Sequence, residues 1–354
     1  MSLIPFLHRA AAGHHLTFDE AHEAMTVMLE GRATEAEIAG FLVALRMKGE
    51  TAFELAGFAK AMREKAIFVD AGTEGKDLID VVGTGGDEAG TFNISTVAAM
   101  IVAGAGVRVA KHGNRAISGR VGSADVLEAL GVRIALTPEE SVRAIRQIGL
   151  GFLFAPHLHP AMGHAQPVRR ALKMRTVFNL LGPLANPARA QYQLIGAPSS
   201  YAAQIMAEAL SQLGTAHSYV VHGALSEDAA PDSPTTQKSG LDEISTVAPT
   251  TVFEVWSGRV EKHLWTPEQF GIRRAHIEEL AGGEAAENAA MIRSILAGEP
   301  GARRDIAIVN AAAGLMACRK AVAPGEAMQM AAESIDSGRA ANVLKQLREN
   351  FPAK

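Results

Sequence analysis

Residues 80–87, Asp-Val-Val-Gly-Thr-Gly-Gly-Asp, put a glycine loop directly after a short apolar run. Glycines let a backbone approach a phosphate closely and present several N–H donors to it. Asn93-Ile94-Ser95-Thr96 follows and opens an apolar helix. The unpaired N–H groups and positive dipole end of a helix start favour an anion there. The Ser95 and Thr96 hydroxyls add donors or a metal ligand. The loop is not a dinucleotide fingerprint, because Glu88 stands where the last glycine of Gly-x-Gly-x-x-Gly belongs, and no Walker A pattern occurs. Lys111-His112-Gly113-Asn114-Arg115 ends the next apolar run. Two cations, an imidazole and an amide at a strand's C-terminal end suit an anionic substrate. Ser118-Gly119-Arg120-Val121-Gly122-Ser123 then opens another helix. Three such loops in succession suit a ligand with several phosphate groups.

Asp242-Glu243 offers hard carboxylate oxygens of the kind that hold Mg²⁺ beside a polyphosphate. His157, His159 and His164 match no zinc spacing, and capping or packing is the plainer role for them. Arg169 and Arg170 precede the Gly/Pro-punctuated stretch 179–187, Asn-Leu-Leu-Gly-Pro-Leu-Ala-Asn-Pro, which reads as a rigid turn. An arginine beside that turn could bind a carboxylate bidentately.

The elements that must position these groups have two textures. Residues 1–72 read as helices, opened by Thr-x-x-Glu capping boxes at Thr17, Thr34 and Thr51 and stopped at Gly31 and Gly49. From residue 73 to 354 short buried strands alternate with helices, which predicts an α/β layer with a mainly parallel sheet. Strands are expected at 78–82, 107–110, 132–136, 152–155, 193–196 and 218–221, and a hairpin at 251–265 around Ser257-Gly258. The polar stretch 226–240, with two prolines, reads as a surface loop. Helices are expected at 96–103, 124–130 and 201–213, from Thr137, and from about 285 onward.

The chain has 354 residues, 48% of them hydrophobic, enough apolar material for a large core and too much for disorder. A formal net charge of −4 argues against a broad nucleic-acid-binding face. The one cysteine, Cys318, excludes an internal disulfide. No apolar run reaches the ~18 residues of a membrane span, and MSLIPFLHRA lacks a signal-peptide pattern, so a soluble cytoplasmic enzyme is the expectation.

Six segments taken together carry a family resemblance: GTGGD at 83–87, NIST at 93–96, KHGNR at 111–115, GSADVLEALG at 122–131, RTVFNLLGPLANP at 175–187 and GLDEIS at 240–245. In this order they resemble the anthranilate phosphoribosyltransferase family over nearly the whole chain. The resemblance implies a small helical domain, to which residues 160–186 return, and a large α/β domain. It implies a homodimer through the helical domains, and transfer of phosphoribose from phosphoribosyl pyrophosphate to anthranilate in tryptophan biosynthesis. It further implies a phosphoribosyl pyrophosphate site at Gly83, Gly86, Asp87, Thr91, Asn93, Ile94, Ser95 and Thr96, continued by Lys111 through Gly119 (Lys111, His112, Gly113, Asn114, Arg115, Ala116, Ile117, Ser118, Gly119) and Ser123. Magnesium ligands would be Ser95, Asp242 and Glu243, and anthranilate contacts Gly83, His112, Asn114, Arg169 and Gly182.

The bond between ribose and pyrophosphate breaks with oxocarbenium-like charge, and the weakly basic aniline nitrogen already carries a usable lone pair. Catalysis by positioning and electrostatics, with Lys111 and Arg169 contributing and no general base or covalent intermediate, is therefore expected. Two departures from the family pattern stand out: the polar insert between His222-Gly223 and Leu241, and Val121 where many members carry a small polar residue. The rival readings are a pyrimidine nucleoside phosphorylase and a non-catalytic nucleic-acid-binding relative.

Overall fold

The computed structural model describes residues 2–72, 78–85, 89–116, 121–226 and 240–353. The chain opens with four helices: α1 (Ile4–Ala11), α2 (Phe18–Leu29), α3 (Glu35–Lys48) and α4 (Ala52–Lys65). Thr17, Thr34 and Thr51 each accept from the third helical N–H, and Glu20, Glu37 and Glu54 each reach back to the cap. These reciprocal bonds satisfy two orphan donors per helix start. Gly31 (φ 68°) and Gly49 (φ 83°) end α2 and α3 in the left-handed region that L side chains avoid.

A seven-stranded sheet follows in the order β3-β2-β1-β4-β5-β6-β7. Strands β1 (Leu78–Gly83), β2 (Arg108–Gly113), β3 (Leu150–Phe154), β4 (Tyr192–Gly196) and β5 (His217–Gly223) run parallel. Strands β6 (Thr250–Trp256) and β7 (Arg259–Trp265) add an antiparallel hairpin. Its two-residue turn has Ser257 at φ 48° and Gly258 at φ 75°, the paired positive values of a I′ turn. One face of the sheet carries α5 (Ile94–Gly104), buried along its whole length. The short α6 (Ser123–Ala129) and α7 (Pro138–Ile148) follow, α7 opening on the Thr137 capping box.

Between β3 and β4 lie α8 (Ala155–Leu158), α9 (Gln166–Leu172) and α10 (Phe178–Leu184). Val168, Val177, Phe178, Leu181 and Leu184 share one core with the first four helices and with α11 (Ser200–Leu213). The C-terminal layer is α12 (Ala285–Leu296), α13 (Ala302–Ala317), α14 (Pro324–Asp336) and α15 (Arg339–Asn350). Its apolar residues join α5 and the sheet in the larger core.

Two expectations fail. Residues 132–136 form no strand; Val132 makes a single bridge to Pro352, and Arg133 N–H donates to Phe351 O at 2.8 Å. Val132, Ile134 and Leu136 are buried in alternation. That period marks extended chain, but no neighbouring strand continues a ladder. The stretch 178–184 is a helix, not a turn, with Pro183 inside it. The loss of one N–H in a helix of seven residues leaves enough of its first turns intact.

Candidate active site

The C-terminal ends of β1, β4 and β5 converge on residues 241–245. Leu241 exchanges both backbone bonds with Gly223, at 2.9 and 2.7 Å. The next two residues are then laid directly over glycines. A Cβ on Gly83 would meet the Asp242 carboxylate, one on Gly196 the Asp242 carbonyl, and one on Gly223 the Glu243 carbonyl. Three strands thus end in glycine because the acidic segment occupies the space of their side chains.

Asp242 Oδ2 accepts from the Gly85 N–H at 2.7 Å and Glu243 Oε1 from the Ser95 N–H at 2.9 Å. The glycine loop, the start of α5 and the acidic pair therefore form one cluster. Lys111, 2% exposed, reaches it from β2, donating to Ser95 Oγ at 3.2 Å and to Val81 O. Burial presses the ammonium below its usual value, opposed by Asp80, Glu243 and Asp242. The Ser95 hydroxyl and two carboxylates are hard oxygen donors that fit Mg²⁺. Among the described residues no group of three or more His, Cys, Asp or Glu side chains could hold a metal by itself. Two carboxylates completed by substrate phosphates is the arrangement Mg²⁺ commonly takes.

Beneath the cluster sits Asp80, fully buried. Its carboxylate accepts from His112 N–H at 3.1 Å and from Asn186 Nδ2 at 2.8 Å, and Asn186 also donates to Ala110 O. Burial pushes the Asp80 carboxyl up to about 7, against the pull of Lys111. This hub ties β1, β2 and the Ala-Asn-Pro end of the 179–187 stretch together. His112 in turn donates from Nδ1 to Gly182 O at 2.9 Å, which leaves Nε2 as an acceptor. His112 Nε2 and His159 Nε2 are both buried with no protein partner among the described residues, and the two rings lie 5.1 Å apart. A Cβ on Gly182 would meet nothing within 4 Å. Two buried ring nitrogens therefore lie near each other without a hydrogen-bond partner among the described residues. The sequence suggests a capping or packing role for His159; that its Nε2 has no partner among the described residues follows from its place in the fold.

Burial lowers His112 to about 4 and His159 to about 3. Both must stay neutral in the fold, whereas an unfolded histidine titrates near 6.5. Their contribution to stability is whole above about pH 6.5 and is lost as pH falls toward these folded values. Thermal stability should therefore drop between pH 6.5 and 4, and His159→Gln should flatten the slope. An equal slope in the variant would contradict the assignment.

The other candidate residues are placed as follows. Gly86, Asp87, Ile117, Ser118 and Gly119 lie outside the described residues. Thr91 is held by a bridge to Ala281. The Asn93 amide is fully engaged, Nδ2 donating to Val121 O at 3.0 Å and Oδ1 accepting from Asn288 at 3.1 Å. Ile94 is buried in the core, so only its backbone can serve a ligand. Thr96 is 1% exposed and its hydroxyl has no partner among the described residues. Asn114 O accepts from Ser123 Oγ at 3.3 Å, and Gly113 closes against that serine. The Arg115 guanidinium binds Asp125 and Glu128, at 2.9 and 2.6 Å, so in this arrangement it braces α6. Asp125 also accepts from the Ala116 and Gly122 N–H groups. Arg169 lies over the Phe178 ring at 5.0 Å and makes no ion pair among the described residues, and Arg170 is exposed. Asp80, Asn186 and Asn288 were not singled out by the sequence reading, because each acts through partners far along the chain.

The glycosyl transferase family helical bundle domain matches residues 4–66, and the glycosyl transferase family a/b domain matches residues 75–341. An anthranilate phosphoribosyltransferase of Solibacter usitatus is 52% identical, covering 99% of this chain and 98% of its own. One of Symbiobacterium thermophilum is 49% identical over 97% and 96%. The crystal structure of the Thermus thermophilus anthranilate phosphoribosyltransferase superposes with a TM-score of 0.88 at 42% identity, covering 98% of both chains. The Saccharomyces cerevisiae enzyme in complex with PRPP and Mg gives 0.85 at 27% identity, covering 98% of this chain and 97% of that one. With matches this complete at both levels, the chain belongs to the anthranilate phosphoribosyltransferase family.

Proposed function

We propose that this protein transfers the phosphoribosyl group of phosphoribosyl pyrophosphate to the anthranilate nitrogen, releasing pyrophosphate, as a step of tryptophan biosynthesis. The observation that carries this reading is the single cluster formed by the glycine loop, the start of α5, Lys111 and the acidic pair, with the His112 ring, next to Lys111 on β2, paired with that of His159. Formation of N-(5-phosphoribosyl)anthranilate by the purified protein, followed by fluorescence, is the test.

Ser95, Asp242 and Glu243 would hold Mg²⁺, which screens the charge that builds on the departing pyrophosphate. Lys111 and the N–H groups around Ser95 add fixed positive potential where that charge appears. Asp80 steadies Lys111 from below and fixes His112 through its backbone. Asn186 holds the Asp80 carboxylate in place. The neutral His112 and His159 rings would offer acceptors to the anthranilate amine, and Asn114 and Gly83 would be further anthranilate contacts. No group here is asked to remove a proton before attack.

Arg169 orients the anthranilate carboxylate. Burial lowers its guanidinium pKa, and no acid among the described residues pairs with it. Arg169→Ala should raise the KM for anthranilate roughly ten- to a hundredfold, the loss of a charged hydrogen-bonded contact, with a smaller effect on kcat. An unchanged KM would remove Arg169 from the site.

Residues 1–72 with 160–186 form the helical domain of this reading and 73–354 the α/β domain. The helical domain also carries the dimer contact, because Met47 and Phe53, 80% and 55% exposed, flank the α3–α4 turn as uncovered apolar groups. A monomeric mass by sedimentation equilibrium would contradict that. No helix among the described residues is long and apolar enough to cross a membrane, consistent with a cytoplasmic enzyme, which cell fractionation checks.

A further inference from the structure

Asp242 and Glu243 stand between two anchors. The upstream one is the exchange of backbone bonds between Leu241 and Gly223 at the end of β5. In this chain residues 224–240 separate those two partners in sequence. A loop of that length leaves many registers open to the residue that follows it, because closing it costs little more in one register than in the next. The downstream anchor must therefore carry much of the register.

That anchor is Asn310, in the middle of α13 and fully buried. Its side-chain Oδ1 accepts from the Ile244 N–H at 2.9 Å. Its Nδ2 donates to Ile244 O at 3.1 Å and to Ile306 O at 2.9 Å. The primary amide thus pairs with both faces of one peptide residue, as a neighbouring strand would. Ile244 is the residue directly after Glu243. The surroundings make this costly to arrange by accident. From Ile306 to Ala317 every other position of α13 is apolar or glycine and buried. Asparagine is a weak helix former, and a buried amide without partners is strongly unfavourable. An aliphatic side chain would serve the core better, but could not fix the peptide of Ile244.

We propose that Asn310 is a positioning residue for the acidic pair, setting the register in which Asp242 meets the Gly85 N–H and Glu243 meets the Ser95 N–H. The proposal rests on the reading of Asp242 and Glu243 as Mg²⁺ ligands. Without the clamp the segment stays attached at Leu241 and at Ser245, which donates to Thr250 Oγ1 and Ala224 O at 2.9 Å each, but the stretch between them shifts and the two carboxylates lose their common orientation. Asn310 touches no substrate, so its effect should fall on cation binding and not on anthranilate.

The test compares wild type, Asn310→Ala and, as a control, Ser334→Ala. Ser334 is equally buried in the same C-terminal layer and donates to Ile101 O at 2.7 Å, away from the acidic segment. Mn²⁺ binding in the presence of phosphoribosyl pyrophosphate is read by electron paramagnetic resonance, and amide exchange of peptide 240–246 by mass spectrometry. Asn310→Ala should weaken Mn²⁺ binding ten- to about a hundredfold, the usual effect of losing a residue that orients a metal ligand. It should also raise the half-saturating Mg²⁺ for turnover, speed exchange of the peptide and leave the KM for anthranilate unchanged. Ser334→Ala should lower the melting temperature alone. Should Asn310→Ala not fold, Asn310→Asp keeps the acceptor for the Ile244 N–H and removes the donor, and the same weakening is expected. Unchanged Mn²⁺ binding and exchange in whichever variant folds would overturn the proposal. A wild type that makes no phosphoribosylanthranilate overturns the functional reading instead, while Mn²⁺ binding and exchange still decide on Asn310.

Discussion

Gly196→Ala should lower kcat/KM by roughly a hundredfold or more while the chain remains folded, since displacing a reacting group by about 1 Å costs on that scale. The new Cβ would overlap the Asp242 carbonyl, a backbone atom that no rotamer change can clear. Either the end of β4 or the acidic segment must move. β4 is held by continuous ladders on both sides, whereas 240–245 has no continuous ladder and is held by single bonds, several of them to side chains. The segment therefore yields, carrying both carboxylates away from Gly85 and Ser95. Overpacking of this kind also costs about 1–3 kcal/mol of stability. Gly163→Ala is the control, because a Cβ there meets nothing within 4 Å. Near-normal turnover by Gly196→Ala would mean that the acidic segment does not lie on the strand ends during catalysis.

Neutralising the pair by Asp242→Asn with Glu243→Gln should be at least as damaging. A metal ion contributes several kcal/mol of charge stabilisation, so a loss of roughly a thousandfold in kcat at moderate Mg²⁺ is expected. The backbone of both residues is untouched, and the N–H groups of Gly85 and Ser95 keep an amide oxygen as acceptor. The fold should survive, and raised Mg²⁺ should restore little. Full activity in this double variant would take both residues out of the metal site. Together the two substitutions separate position from charge: the first moves intact carboxylates, the second leaves them in place without charge.

What could be read from the sequence was what short-range hydrogen bonds decide. The capping boxes at Thr17, Thr34, Thr51 and Thr137 close within three residues, and the Ser257-Gly258 turn needs only its own two dihedral angles. The parallel layer followed from strand–helix alternation. What escaped reading depends on partners far along the chain. Asn186 meets Asp80 across 106 positions and Asn310 meets Ile244 across 66. The glycines at the ends of β1, β4 and β5 looked like phosphate-loop or strand-end glycines. Their need for a missing Cβ arises from a segment beyond the 227–239 stretch. His159 reads from sequence as a capping or packing residue, and its position beside His112, with Nε2 unpartnered among the described residues, depends on the fold. Residues 132–136 show the opposite error, a genuine alternation in burial with no strand beside it.

The electrostatics of the site also explain how a chain of net charge −4 can receive a polyanion. The cationic potential is local: Lys111 is buried against the start of α5. Arg115, which looked equally available, is neutralised by two carboxylates of α6.

The most direct test mixes the purified protein with anthranilate, phosphoribosyl pyrophosphate and Mg²⁺ and follows the fluorescence of phosphoribosylanthranilate alongside released pyrophosphate. Equal, Mg²⁺-dependent formation of the two products, lost on chelation, is the predicted result. No reaction with anthranilate, together with phosphorolysis of thymidine by inorganic phosphate, would contradict the assignment.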